Sequence, residues 1–260
     1  MAKKVLTIVL TVFLFISAVV LGGSTVFRVD DVAVIATVVS EKSKADVEQL
    51  KTELAAFYKD RNIFSATQDD IKETMAKYPY FFVTDFKKSY PNKIVVTVEE
   101  ESEFYAVATG EERYYILGRT GVILDVRNSF ENRLDGQANV LLNGLNVSGK
   151  KGGFLAGDEC LDSMFTLCKA MDETLDGVRS NVLSVEVLSR SPETFYLITM
   201  REGIKVYVGN PTVLTEEKAK MAMNEYMALS NAQRMTGRLT VRDAENQVFV
   251  AYSPEDEFQP

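Results

Sequence analysis

The segment Ser148–Lys151 reads Ser-Gly-Lys-Lys and matches the Ser-x-x-Lys pattern, in which a lysine one helical turn after a serine activates it for acyl transfer. The glycines at 149, 152 and 153 disfavour the helix that this chemistry needs, and the chain contains neither Ser-Asp-Asn nor Lys-Thr-Gly. The same loop lacks the Gly-Lys-Ser/Thr ending of a phosphate-binding loop. We therefore predict a flexible loop here, and an anchored or secreted cell-wall enzyme is kept as an alternative.

Histidine is absent from all 260 residues. The usual general base and the usual zinc ligand are therefore missing. The carboxylate groups Asp69–Asp70 and Glu99–Glu101 are explained more simply as first-turn charges of a helix and a solvated strand end. We predict no catalytic residues, no cofactor, no metal site and no small-molecule substrate, so the protein is not expected to be an enzyme.

Cys160 and Cys168 are eight residues apart in a predicted helix, which places their Cα atoms roughly 12 Å apart. A disulfide cannot bridge that distance, so two small buried or half-buried thiols are expected. The formal net charge is −8, and Lys3 and Lys4 are the only charged residues before Arg28. An acidic chain gains nothing from counterion release on a phosphate backbone, which argues against a nucleic-acid partner.

The elements that position these groups begin with an uncharged apolar run from Val5 to Gly23. About 20 such residues cross a bilayer as a helix. The lysines before the run and the acidic pair Asp30–Asp31 after it predict a cytoplasmic tail at residues 1–4 and an extracytoplasmic remainder. A signal peptide cleaved near residues 21–23 is the alternative.

A first small domain is predicted over residues 24–100. Apolar residues alternate from Phe27 to Val34 as in a strand, and helix-start patterns follow at residues 43–46 and 67–70. Two strand-like runs, 82–90 and 94–98, are joined by the turn at residues 90–93. The order strand, helix, helix, strand, strand describes an α+β domain.

A second domain is predicted over residues 101–252. Short apolar runs separated by glycine turns favour a mainly antiparallel sheet, and two helices are expected at about 158–175 and 215–229. The final strands are predicted at 238–242 and 247–252. Residues 253–260 form an acidic tail that we expect to be unordered.

Several segments resemble the bacterial cell-division family FtsQ/DivIB. They are Phe27–Val29, Val32–Val34, Asn62–Phe64, Tyr90–Val96 and Tyr114–Leu124. The resemblance implies a transmembrane helix, a POTRA domain and a β-domain. It also implies a single-pass, non-catalytic scaffold at the division septum that binds FtsB/DivIC-like and FtsL-like partners and helps to regulate septal peptidoglycan synthesis. A POTRA-type secretion or assembly factor is a further alternative.

In that family the last strands of the β-domain bind the extracytoplasmic end of the FtsB/DivIC partner. By position, the resemblance implies a partner-binding surface made of Leu239, Val241, Arg242, Val248, Phe249, Val250, Ala251 and Tyr252. Arginine and aromatic side chains dominate interface energetics, so Arg242, Phe249 and Tyr252 are the expected anchors. Alternation places Phe249 and Tyr252 on opposite faces, so at least one of them is expected to point outward.

Overall fold

The computed structural model describes residues 26–38, 40–109, 112–190 and 193–255. The expected cytoplasmic tail at 1–4, the expected transmembrane helix at 5–23 and residues 256–260 of the expected acidic tail lie outside the described residues. Within those described ranges, no helix combines the length and the apolar character needed to cross a membrane. The chain separates into two compact units, one up to Glu101 and one from Ser102.

The first unit contains two helices, a 3₁₀ turn and a three-stranded sheet. Its elements are β1 (Asp31–Thr37), α1 (Glu41–Tyr58), a 3₁₀ turn (Asp69–Ile71), α2 (Lys72–Ala76), β2 (Phe81–Ser89) and β3 (Lys93–Glu100). This is the predicted order, but the second helix is shorter than the pattern suggested. The carboxylate of Asp70 accepts a hydrogen bond from Thr67 N at 2.7 Å, and this contact closes a turn before the helix begins.

The central strand of the first unit is β3, with β1 parallel to it on one side and β2 antiparallel on the other. Its buried side chains are Ile94, Val96 and Val98, which alternate along the strand as the sequence predicted. They share one apolar core with buried residues of α1, among them Leu50 and Leu54. Burial of one strand face against one helix face therefore forms this core.

The expected solvated strand end at Glu99–Glu101 is wrong for two of its three residues. Glu101 is buried, and half-buried Glu100 accepts hydrogen bonds from the backbone N (3.0 Å) and Oγ (2.7 Å) of Ser40. Ser40 is the N-cap of α1, a few residues before the predicted start pattern. Glu100 thus supports the start of the helix, where a negative charge is favourable.

The second unit contains nine strands and four helices among its described residues. They are β4 (Glu103–Ala108), β5 (Tyr114–Gly118), β6 (Ile123–Arg127), β7 (Val140–Asn143), α3 (Leu161–Leu175), α4 (Val178–Asn181), β8 (Val182–Arg190), β9 (Thr194–Met200), β10 (Lys205–Gly209), α5 (Thr215–Ala228), α6 (Asn231–Arg234), β11 (Arg238–Ala244) and β12 (Gln247–Ser253).

These nine strands form one sheet in the order β12-β11-β10-β9-β8-β7-β4-β5-β6. The sheet is mixed, because the pairs β4–β7, β7–β8 and β10–β11 are parallel. Two of these parallel pairs follow from crossovers, since α3 lies between β7 and β8 in the chain and α5 lies between β10 and β11. The other five pairs are antiparallel, so the prediction of a mainly antiparallel sheet is confirmed, but the three parallel pairs were not predicted.

The core of the second unit joins the two long helices to one face of the sheet. Buried residues of α3 and α5, such as Met164 and Met223, belong to the same apolar cluster as Ile198, Val206 and Val241 of the strands. Helices α3 and α5 also contact each other. This packing fixes β10, β11 and β12 against α5 and determines which side chains of the last hairpin face outward.

Candidate functional site

The last strand, β12, lies at one edge of the nine-stranded sheet and pairs with β11. Two residues, Glu245 and Asn246, form the hairpin turn, and both have positive φ angles, 51° and 62°. This is the conformation of a type I′ turn, whose flanking residues, here Ala244 and Gln247, form a hydrogen-bonded pair. Hydrogen-bonded and non-hydrogen-bonded pairs then alternate along the hairpin.

That alternation determines which main-chain groups of β12 are directed away from β11. Gln247, Phe249 and Ala251 exchange hydrogen bonds with β11, whereas the N–H and C=O groups of Val248, Val250 and Tyr252 point to the outer edge. Within the described ranges, no other strand pairs with β12 on that side. An extended segment of another chain can pair with such an edge through main-chain hydrogen bonds.

The side chains of β12 divide between the two faces of the sheet. Phe249 is 54% exposed and lies opposite exposed Arg242 on β11. Val248, Val250 and Tyr252 are half-buried and pack against the core. Two of the three expected anchors, Arg242 and Phe249, therefore present their side chains to solvent, while that of Tyr252 belongs to the core side.

The remaining residues of the expected surface have different roles in the structure. Ala251 is exposed on the same face as Phe249, whereas Leu239 and Val241 of β11 are fully buried. Buried Leu239 and Val241 cannot contact another chain directly and serve only to hold β12 in place. The structure thus brings the eight predicted residues together in one hairpin, and three of them, Arg242, Phe249 and Ala251, form its exposed face.

The row of residues beside Phe249 was not predicted from the sequence. Ala251 lies opposite Thr240, Thr240 beside Tyr207 of β10, and Tyr207 opposite Leu197 of β9. In a sheet, directly paired residues point to the same face. The outward face of the hairpin therefore ends at half-buried Thr240, because Tyr207, the next residue of the row, is buried.

A buried lysine supports the base of the hairpin. Lys218 of α5 is fully buried, and its Nζ donates hydrogen bonds to the carbonyl oxygens of Gly209 (2.9 Å) and Asn210 (2.7 Å). It also pairs with the carboxylate of Asp243, which lies opposite Val248. Sequence reasoning missed this residue, because a lysine in a charged helix segment normally indicates a solvent-exposed face.

The Ser-x-x-Lys segment lies in a loop with no helix. The backbone of Ser148 pairs with that of Ala156 (2.9 Å), and Lys151 Nζ lies 4.0 Å from a carboxylate oxygen of Asp125. A cleft of about 960 Å³ lies nearby in the second unit, lined by residues that include Tyr105, Phe154 and Phe165. No group of three Cys, Asp or Glu side chains within the described ranges is arranged to hold a metal ion.

The two cysteines are buried and unpaired, as the sequence predicted. Cys168 lies inside α3, whereas Cys160 is the N-cap position immediately before that helix. Burial, together with a smaller effect of the nearby Asp172 charge, raises the pKa of the Cys168 thiol to about 12. A thiol with so high a pKa is a poor nucleophile at neutral pH.

The fold is that of an α+β protein, and within the described ranges its second unit ends in an edge strand that no other strand pairs with on the outer side. No family model matches the chain. The chain is 27% identical, over 81 residues, to the cell division protein DivIB of Clostridium tetani (strain Massachusetts / E88). The aligned part is 30% of this chain and 30% of that protein, so it spans less than a third of the relative's length. This match supports a distant relation to cell division proteins.

Proposed function

We propose that the protein is a membrane-anchored, non-catalytic scaffold of cell division that binds an extracytoplasmic segment of an FtsB/DivIC-like protein. In this proposal it also holds an FtsL-like protein at the septum and thereby regulates septal peptidoglycan synthesis. The match to DivIB and the ordered set of family-like segments support the division role. The apolar run Val5–Gly23 is proposed as the anchor, with the amino terminus in the cytoplasm.

The observation that carries the binding proposal is the outer edge of β12. Val248, Val250 and Tyr252 each offer one N–H and one C=O group to an incoming strand. A single hydrogen bond of this kind contributes only about 1 kcal/mol net, so main-chain pairing gives register and modest affinity. Exposed Phe249 and Arg242, directly beside that edge, supply the side-chain contacts that dominate interfaces.

The non-catalytic part of the proposal is supported by the absence of histidine from the sequence and by the loop context of Ser148–Lys151. A penicillin-type acyl enzyme needs its lysine one helical turn after the serine. We therefore expect a fluorescent β-lactam to leave the purified full-length protein unlabelled. Covalent labelling that is lost in Ser148→Ala would favour the enzyme alternative instead.

A pull-down with matched phenylalanine variants tests the binding edge. The probe is the extracytoplasmic part of the FtsB/DivIC-like protein from the same organism. Phe249→Asp is expected to weaken its binding at least tenfold, or about 1.4 kcal/mol, because it removes an exposed apolar anchor and adds a charge. Phe154→Asp, at a residue 65% exposed beside the cleft, is the control and is expected to bind normally.

The two variants separate the competing locations within the second unit. Normal binding by Phe249→Asp together with loss in Phe154→Asp would move the site to the cleft. Normal binding by both variants would refute an aromatic anchor at either place. Tyr252 is less suitable for this test than the sequence suggested, because a charge at this half-buried residue would also disturb the core.

A further inference from the structure

The first unit has an aromatic cluster, formed by half-buried Phe27 and exposed Phe64 and Tyr90, which we call the aromatic end. The ring centroids of Phe27 and Phe64 are 4.9 Å apart, and those of Phe64 and Tyr90 are 5.4 Å apart. Phe64 is 56% exposed and Tyr90 57% exposed, and the adjacent Val26 is also exposed. Neighbouring large apolar side chains that all face water indicate a contact surface rather than a core.

Main-chain hydrogen bonds hold the aromatic end together. Its rings come from the segment before β1, the loop after α1 and the β2–β3 turn. Ile63 N donates to Phe27 O (2.9 Å), and Asp30 N donates to Asn92 O (2.9 Å), so both the loop and the turn are tied to the entering chain. The Nζ of Lys88 also donates to Phe64 O at 2.9 Å. The aromatic end is therefore a fixed feature of the fold.

The position of this cluster along the chain limits what can cover it. Phe27 follows the apolar run after only three intervening residues, Ser24 to Val26. From Gly23 to Phe27 an extended chain reaches at most about 14 Å. The headgroup region on each side of the hydrocarbon core is itself roughly 5–8 Å thick. If Val5–Gly23 spans the bilayer, Phe27 lies in or just above the headgroups.

The side chains around the aromatic end suit that location. Phenylalanine contributes apolar area, and tyrosine has an apolar ring with a polar tip, which favours the boundary between lipid and water. In the three segments that carry the rings, the basic residues Arg28, Arg61, Lys88 and Lys93 outnumber the acidic residues Asp30, Asp31 and Asp60. Basic groups on long stems can reach lipid phosphates while their stems stay on the apolar surface.

We infer that the aromatic end of the first unit inserts into the headgroup layer of the phospholipid bilayer that holds the anchor. This inference rests on the membrane anchor of the proposed function. It adds that the segment before β1, the loop after α1 and the β2–β3 turn meet the membrane, so the first unit is held at the lipid surface by contacts beyond its covalent tether. The partner is the lipid surface itself, recognised through interfacial aromatic rings and flanking cations.

The absence of tryptophan from the chain makes a direct test possible. Phe64→Trp and Tyr90→Trp, each in the full-length protein, introduce a single tryptophan, excited selectively at 295 nm, into the aromatic end. Phe82→Trp is the matched control, because Phe82 is exposed but lies near the start of β2, roughly 26 Å along the strand from Tyr90. Each variant is reconstituted into phosphatidylglycerol and phosphatidylethanolamine vesicles with and without brominated acyl chains.

We expect brominated lipid to quench Phe64→Trp and Tyr90→Trp about twofold or more, with blue-shifted emission, and to leave Phe82→Trp nearly unchanged. Alkaline carbonate extraction of the same vesicles reports on the anchor separately. Release of the protein by carbonate would overturn the anchor and this inference together. Retention with equal quenching at residues 64, 90 and 82 would overturn the inference alone.

Discussion

Val250 of β12 lies opposite Val241 of β11 as a non-hydrogen-bonded pair. The N–H and C=O groups of Val250 consequently point away from β11, toward the outer edge of the sheet. The neighbouring Ala251 is in the opposite situation, because its main chain bonds to Thr240 across the hairpin. One strand thus has residues whose main-chain groups hold the hairpin together and residues whose main-chain groups point to the outer edge of the sheet.

This alternation predicts opposite outcomes for two adjacent proline substitutions. Val250→Pro removes an outward N–H, so we expect it to weaken binding of the FtsB/DivIC-like partner at least tenfold, or about 1.4 kcal/mol, while the protein stays folded. Ala251→Pro removes an N–H bonded to β11 and should mainly lower the free energy of unfolding. Binding titration and urea denaturation of both variants provide the measurements. Undiminished binding by folded Val250→Pro would rule out strand addition at this edge.

Parts of the fold that depend on local pattern could be predicted from the sequence. Ile94, Val96 and Val98 alternate with more exposed residues, and β3 buries them as expected because a strand has a period of two. The same period correctly assigns Phe249 and Tyr252 to opposite faces of β12. These predictions need only the direction of neighbouring side chains.

Features that depend on distant segments could not be predicted in this way. The parallel pairing of β10 with β11 arises because α5 carries the chain back before β11 begins, and glycine turns alone suggested hairpins. Lysine and glutamate usually lie on the surface, so the sequence does not indicate that Lys218 is buried or that Glu100 binds the N-cap of α1. Their partners, Gly209 and Ser40, become visible only once the elements are packed together.

The cysteines provide a test of the core of the second unit. Because burial raises the pKa of Cys168 to about 12, almost none of its thiol is ionised near pH 8. We expect iodoacetamide to leave both cysteines unmodified in the native protein at this pH and to modify both in urea, as read by intact mass. Rapid modification of the native protein would contradict the buried positions of Cys160 and Cys168.

Lys218 is predicted to stabilise the hairpin that carries the binding edge. Lys218→Met leaves the carbonyls of Gly209 and Asn210 and the carboxylate of Asp243 without their donor, so we expect a loss of about 3 kcal/mol in the free energy of unfolding. Lys220→Met, which removes an exposed pair with Glu216, should leave the free energy of unfolding nearly unchanged, because water screens such a pair. Urea denaturation measures the free energy of unfolding of both variants. Equal values would contradict the prediction that the contacts of buried Lys218 stabilise the hairpin.

Asp135 is predicted to make stability depend on pH. Its carboxylate accepts two hydrogen bonds from buried Arg179, at 2.7 and 2.8 Å, and these bonds are the main cause that lowers its pKa below the ordinary value of 3.8. A lowered pKa means that the folded state binds this proton less readily than the unfolded chain. The stabilisation is therefore complete above the ordinary pKa and is lost as pH falls through the folded value.

Asp135→Asn should accordingly cost about 1 kcal/mol at pH 7, a modest value because the carboxylate is partly in water. The difference in the free energy of unfolding between Asp135→Asn and the unaltered protein should shrink as pH falls below 3.8, because the unfolded chain then binds the proton more readily than the folded one. It should vanish only below the lower folded pKa, where both side chains are neutral. Urea denaturation across this pH range measures the difference. Arg179→Met is the matched variant, because without the guanidinium the same pH dependence should disappear. A difference that stayed constant across the range would show that the Asp135 charge contributes nothing to stability.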